Sequence, residues 1–385
     1  IKKIFIVSSG RADYGMLKKL IFEIKKEKKF KVFVVVTGSH LSKTYGHTYK
    51  EILNDKIKNI KKVNLNISGD SDEDISRTVS VGVKKFSKLL NKEKPYLSVI
   101  LGDRFEIFAF AVSCHILGVP LAHIHGGEVT SGAIDDAFRH SITKLSDLHF
   151  VSNTVYAKRV RQLGENPKNI FNVGGLSLDK ITKKKLYKKK DIEKKLNFKF
   201  LKKNLLITYH PETIRKDLNK NNISTLLRSL SKLKQTKLLF TIPNIDTGNL
   251  NIIRAIKQFS LKHKNTMIFD SLGHKMYLSV ICNVDGVIGN SSSGLSEVPY
   301  LKKGTINIGN RQDGRIKAKS IIDCNFTSSQ INNSLKKLYN KKFIEKLKYT
   351  KSPYEKKDKS KKIVKIIKSF DFKNIKLKKF FDNKF

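Results

Sequence analysis

Short runs of apolar, often β-branched residues alternate along almost the whole chain with stretches in which apolar positions recur every three or four residues. The first half carries KKIFIVSS, KVFVVVTG, YLSVILGD, VPLAHIHGG, DLHFVSN and NIFNVGG, apolar along their length rather than at alternate positions. Strands read this way when both of their faces are buried. Between them the spacing predicts helices over Tyr14–Lys28, Ser76–Lys92, Glu106–Leu117, Asp135–Leu145 and Thr154–Leu163. The pattern lapses near Asp179 in KITKKKLYKKKDIEKKLNFKFLKK, which reads as a solvated helix plus a linker. It resumes with NLLITYHP, KLLFTIPN, NTMIFDS, VDGVIGN and GTINIGN, separated by helices over Ile223–Lys234, Leu250–His263 and His274–Cys282. A last helical pattern, KKIVKIIKSF, precedes a basic tail. The expectation is an α/β protein of two doubly wound, Rossmann-like domains, 1–180 and 181–353, facing each other across a cleft. Residues 354–385 are expected to pack back on the first domain as a helix and tail.

Composition modifies this picture little. At 385 residues with 39% hydrophobic positions, the chain can form two cores of ordinary size. The net charge of +45 raises the question of a nucleic acid or an anionic membrane. The lysines are spread through most helices, not gathered in a stripe with interleaved aromatics, and no nucleic-acid motif accompanies them. Abundant Lys, Ile, Asn and Phe without Trp fits the drift of an A/T-rich genome, so neither partner is expected. Ile107 to Ile124 carries no Asp, Glu, Lys or Arg, but Gly118 and Pro120 divide it into a buried helix and a buried strand. Cys114, Cys282 and Cys324 are far apart without metal spacing, which reads as buried thiols in a reducing compartment. With no leader pattern before the first strand, the expected location is the cytoplasm.

The chemistry concentrates in two places. LGDRFE puts Asp103 and Arg104 just past a strand, and HIHGGE adds His123, His125 and Glu128 after the next one. Ionisable groups gathered at strand ends in one crevice suit proton transfer. Asp135 and Asp136 open the following helix, one as a cap and one towards the crevice, with Arg139 and His140 a turn later to orient them. The histidine spacing matches no tight zinc motif, so no metal or other cofactor is expected. In the second half, His210 in YHPET is a candidate phosphate ligand. IGNSSSGLSE delivers Ser291, Ser292 and Ser293 to a helix beginning near Gly294, a ready anion site, with Glu297 placed to accept ribose hydroxyls. GNRQDGR brings Arg311 and Arg315 beside it. Arg11, in the SSGRADYG turn out of the first strand, has the fork of donors that phosphate favours.

These motifs in this order, together with TGSHLSKTYGHT, RHSITK and PNIDTG, resemble the hydrolysing UDP-N-acetylglucosamine 2-epimerases of bacterial sialic acid and capsule biosynthesis. The resemblance runs from about Ile4 to Cys324. It implies a GT-B fold with the active site between two domains: uridine diphosphate on the C-terminal one, the sugar on the N-terminal one. It implies nucleotide contacts from Arg11, His210, Ser291, Ser292, Glu297 and Arg311, with Asn244 of PNIDTG, Arg104 and Arg139 as further ligands. Asp103 and Asp135 match the family's catalytic carboxylates. Many relatives have Glu where this chain has His125, while Glu128 stands in both versions, so the motif leaves open which of His125 and Glu128 completes the acid–base set. The implied reaction eliminates UDP to 2-acetamidoglucal, then hydrates it to N-acetylmannosamine. A UDP- or GDP-linked 2,4-diacetamido sugar, a GT-B glycosyltransferase and a basic nucleic-acid binder are the rival readings. Relatives form homo-oligomers, which implies a dimer or tetramer.

Overall fold

The computed structural model describes residues 1–383 except 43–46, 68, 70, 132–133, 180, 182–185, 212–218, 243–248 and 373–377. The chain divides into two compact units. One is Ile1–Glu128, Ile134–Lys180 and Lys356–Phe385; the other is Val129–Ala133 and Ile181–Glu355.

The first unit is built, among the described residues, on seven parallel strands. They are β1 (Lys2–Ser8), β2 (Phe30–Val36), β3 (Ile60–Lys62), β4 (Leu97–Leu101), β5 (Leu121–Ile124), β6 (Leu148–Val151) and β7 (Ile170–Asn172), in the order β3-β2-β1-β4-β5-β6-β7. Along β1, Ile4 and Ile6 enter one apolar cluster while Phe5 and Val7 enter another, so both faces are covered. Continuous apolarity in the sequence is the consequence. The apolar run beginning at Ile107 lies in a buried helix, Phe105–Ile116, followed by β5. No described helix is long and apolar enough to cross a membrane. The late helix Lys359–Ser369 puts Ile363, Val364 and Ile367 into the same cluster as Leu17 and Leu20. Its start is fastened by Asp179, which accepts from the Ser360 backbone N–H at 3.0 Å.

The second unit has six described parallel strands, β8 (Lys203–Thr208), β9 (Thr236–Thr241), β10 (Thr266–Phe269), β11 (Gly286–Gly289), β12 (Gly304–Ile308) and β13 (Ile321–Cys324), ordered β10-β9-β8-β11-β12-β13. Both sheets therefore reverse direction at one point, between β1 and β4 and between β8 and β11. Crevices open at the carboxyl ends of strands where the order reverses. That places Gly102–Arg104 and the SSGR turn together in one unit, and YHP with IGNSSS in the other.

The strand β3 and the strand β13 were not expected from the sequence, being short and at the sheet edges, where an apolar run is not required. The helix expected from Ser76 begins at Asp72, because Ser71 caps it. The Ser71 hydroxyl accepts from the Asp74 N–H, and the Asp74 carboxylate accepts from the Ser71 N–H. The helix expected near Gly294 is instead a 3₁₀ turn, Ser292–Gly294, and then a four-residue helix, Glu297–Tyr300. So short a helix provides little dipole, and any anion binding there relies on hydroxyls, amides and arginines.

Candidate active site

In the first unit, the turn after β4 uses Gly102 at φ +84° to bring Asp103 out of the strand. Its carboxylate is paired with Arg139, from the helix Asp135–Leu145. Arg139 is only 3% exposed, and its acceptors include Asp103, the His125 carbonyl at 3.1 Å, and Glu128 Oε2 at 3.7 Å. Glu128 is 6% exposed, and its Oε1 accepts from the Ser152 hydroxyl at 2.9 Å. Asp103, His125, Glu128 and Arg139 are thus one cluster, with two carboxylates held on a single buried guanidinium. Gly126 and Gly127 allow the approach: a Cβ on Gly127 would lie 2.5 Å from the Tyr156 carbonyl.

Other expected residues are arranged differently. Arg104 donates to Glu106 at 3.3 Å. It joins Asp13, whose carboxyl burial pushes up to about 6 against the opposing Ser9 hydroxyl and Arg104 charge. Arg11 is engaged by Glu51 through two donors at 2.8 and 2.5 Å, so a phosphate would compete with that carboxylate. Asp135 is half-buried at the first position of its helix and Asp136 pairs with His140 at 3.5 Å. The expectation that one of them caps is corrected: the cap position is Ile134, without a side-chain bond. His123 is fully buried, donates to the Gly102 carbonyl at 2.8 Å, and is held neutral by burial, with its pKa lowered to about 3. It is a brace between β5 and the Asp103 turn. Among the described residues no group of three His, Cys, Asp or Glu side chains could hold a metal ion.

In the second unit, Asn290 ties two loops together. Its Oδ1 accepts from the His210 N–H at 2.7 Å and its Nδ2 donates to the His210 carbonyl at 2.8 Å. The Asn290 carbonyl in turn accepts from Gln312 at 2.7 Å and from Arg311 at 3.3 Å. His210, Ser291, Ser292, Ser293, Gly294 and Arg311 are therefore brought together, with Glu297 at the start of the next helix. Burial raises the Glu297 carboxyl above its ordinary range, while the Ser296 and Ser293 hydroxyls oppose this. Asn244 lies outside the described residues. Arg315, expected beside the anion site, donates to the Val129 carbonyl at 2.7 Å and to the Thr130 hydroxyl at 2.8 Å, holding the Val129–Ala133 segment within this unit.

Sequence reasoning missed Tyr277, Gln312 and the bridging role of Asn290. The Tyr277 hydroxyl donates to the Ser293 hydroxyl at 2.9 Å, and burial pushes its pKa up to about 12. In the sequence it is one more apolar position of a helix, and only its partner reveals it. Gly289 carries a sharper constraint: at φ +141°, an added Cβ would sit 1.9 Å from the Thr208 carbonyl oxygen. Gly289→Ala is expected to destabilise the second unit by more than about 1 kcal/mol, read by urea unfolding. A variant as stable as the parent would show that β8 and β11 can separate.

Two doubly wound parallel sheets of matching order, each with its polar loops at the strand carboxyl ends, define a GT-B protein. The same fold is seen in the crystal structure of UDP-GlcNAc 2-epimerase from Neisseria meningitidis bound to UDP-GlcNAc, with TM-score 0.80 and 18% identity over 96% of this chain and 100% of that one. Residues 22–368 match the model of the UDP-N-acetylglucosamine 2-epimerase family. The chain is 41% identical to the GDP/UDP-N,N'-diacetylbacillosamine 2-epimerase (hydrolyzing) of Campylobacter jejuni, covering 89% of this chain and 88% of the relative. It is 37% identical to polysialic acid biosynthesis protein P7 of Escherichia coli, covering 99% and 98%. The chain belongs to the UDP-N-acetylglucosamine 2-epimerase family.

Proposed function

We propose that this chain is a hydrolysing epimerase that converts UDP-N-acetylglucosamine to N-acetylmannosamine and UDP. The observation that carries the reading is the pair of carboxylates, Asp103 and Glu128, on the one guanidinium of Arg139. A base takes the proton from sugar carbon 2 as the bond from carbon 1 to the diphosphate breaks, leaving 2-acetamidoglucal and UDP. Water then adds its hydroxyl at carbon 1, and an acid delivers a proton to carbon 2 from the opposite face. Two ionisable groups on different sides of the sugar meet that demand. Asp103 and Glu128 take these roles, with Asp135 orienting or sharing a proton. His210, Ser291, Ser292, Ser293, Glu297 and Arg311 bind the nucleotide, and their donors stabilise the charge on the departing diphosphate.

A second reading keeps the chemistry and changes the sugar to a UDP- or GDP-linked 2,4-diacetamido sugar, supported by the name of the 41% identical relative. Proton NMR in deuterated water separates the two. With UDP-N-acetylglucosamine, free UDP and N-acetylmannosamine carrying deuterium at carbon 2 are expected. An inert UDP-N-acetylglucosamine beside a diacetamido substrate that releases its nucleotide would establish the second reading. Epimerised sugar still attached to UDP would overturn the hydrolysing assignment.

A further inference from the structure

We infer that His125 is a positioning residue rather than the acid or base: its imidazole, held as the Nδ1–H tautomer by a backbone amide, orients Glu128. The inference rests on the reading of this chain as a hydrolysing epimerase with Glu128 in the reaction. His125 Nε2 accepts the Leu176 backbone N–H at 3.1 Å. A ring nitrogen that accepts an amide proton carries none, so the single proton of the neutral ring lies on Nδ1. That atom stands 3.4 Å from Glu128 Oε1, the oxygen to which Ser152 also donates. With Arg139 on Oε2, the carboxylate is located from three directions.

The main chain supports the same role. His125 has φ +68°, its N–H donates to the Phe150 carbonyl at 2.9 Å, and its own carbonyl accepts from Arg139. A left-handed non-glycine residue bonded at both backbone groups holds its ring in one direction. Leu176 is fully buried, and a second ring proton would take the acceptor away from its amide. Among the described residues, the ionisable groups around the ring include Glu128 in the same turn, Arg139 from the neighbouring helix with Asp103 behind it, and the neutral His123 on β5.

Two measurements test this. In protein labelled with ¹⁵N-histidine and assigned through His125→Asn, His125 is expected to keep a protonated Nδ1 and a bare Nε2 across neutral pH. A proton on Nε2 would overturn the inference, and this readout needs no turnover. In kinetics of UDP release, His125→Asn retains a donor and suits the left-handed backbone but cannot titrate. It is expected to keep kcat within about tenfold and both limbs of the pH profile, whereas a lost acid or base would cost about 10²- to 10⁴-fold and one limb. His125→Leu, with no donor, is expected to lower kcat well below the asparagine variant at unchanged KM. An asparagine variant as impaired as leucine and missing a limb would make His125 the acid or base. A wild-type protein that releases no nucleotide from any sugar substrate would defeat the epimerase reading instead, leaving the tautomer result to stand by itself.

Discussion

Asp103→Asn is expected to lower kcat by about 10²- to 10⁴-fold, the usual contribution of a positioned acid or base, with UDP affinity unchanged within a few-fold. The amide has the shape of the carboxylate and can still accept from Arg139, so the cluster keeps its geometry. What it lacks is the ability to take or hold a proton. The nucleotide ligands of the proposed function, His210, Ser291, Ser292, Ser293, Glu297 and Arg311, belong to the other unit. UDP release would be followed in a coupled assay and UDP binding by titration calorimetry. If turnover and binding fell together, Asp103 would be structural and the assignment of the base would fail.

Arg139→Met is expected to destabilise the first unit by about 3–5 kcal/mol, the scale for removing one partner of a buried ion pair. Arg139 is almost wholly buried and is the cation shared by Asp103 and Glu128, whose side chains are 21% and 8% exposed. Without it, two carboxylates remain close together and poorly hydrated, and the His125 carbonyl loses its donor. Arg139→Lys is expected to recover part of the loss, since a point charge can meet one carboxylate but not both carboxylates and the carbonyl together. Chemical denaturation with a probe in the first unit reads the effect. A methionine variant within 1 kcal/mol of the parent, below even the ordinary cost of an unpaired buried group of about 1–3 kcal/mol, would mean the carboxylates are held by something other than the guanidinium.

Much of the candidate site was legible because strand ends are legible. LGDRFE and HIHGGE each follow a continuous apolar run, and in a doubly wound sheet the residue after such a run stands at the ligand-binding edge. Asp103, His125 and Glu128 could be selected on that ground alone. Their partners could not. Arg104 is adjacent to Asp103 in sequence, yet it serves Glu106, while Arg139, far along the chain, takes Asp103. Arg11 has the chemistry of a phosphate ligand, and a helix beyond β2 supplies Glu51 to occupy it. Asn290 reads as part of a serine loop, and its amide turns out to join two loops through both of its ends.

The sequence by itself determined the class of most of the longer elements, the doubly wound architecture and the short stretches proposed to carry the chemistry. These follow from local periodicity, since a strand buried on both faces and a helix buried on one leave different patterns in the residues themselves. The tertiary structure alone decided the strand order, the point of reversal in each sheet, and which ionic and amide groups meet. Those outcomes depend on contacts between residues distant in the chain, such as Leu176 with His125 and His210 with Asn290, whose pairing leaves no mark on either local sequence.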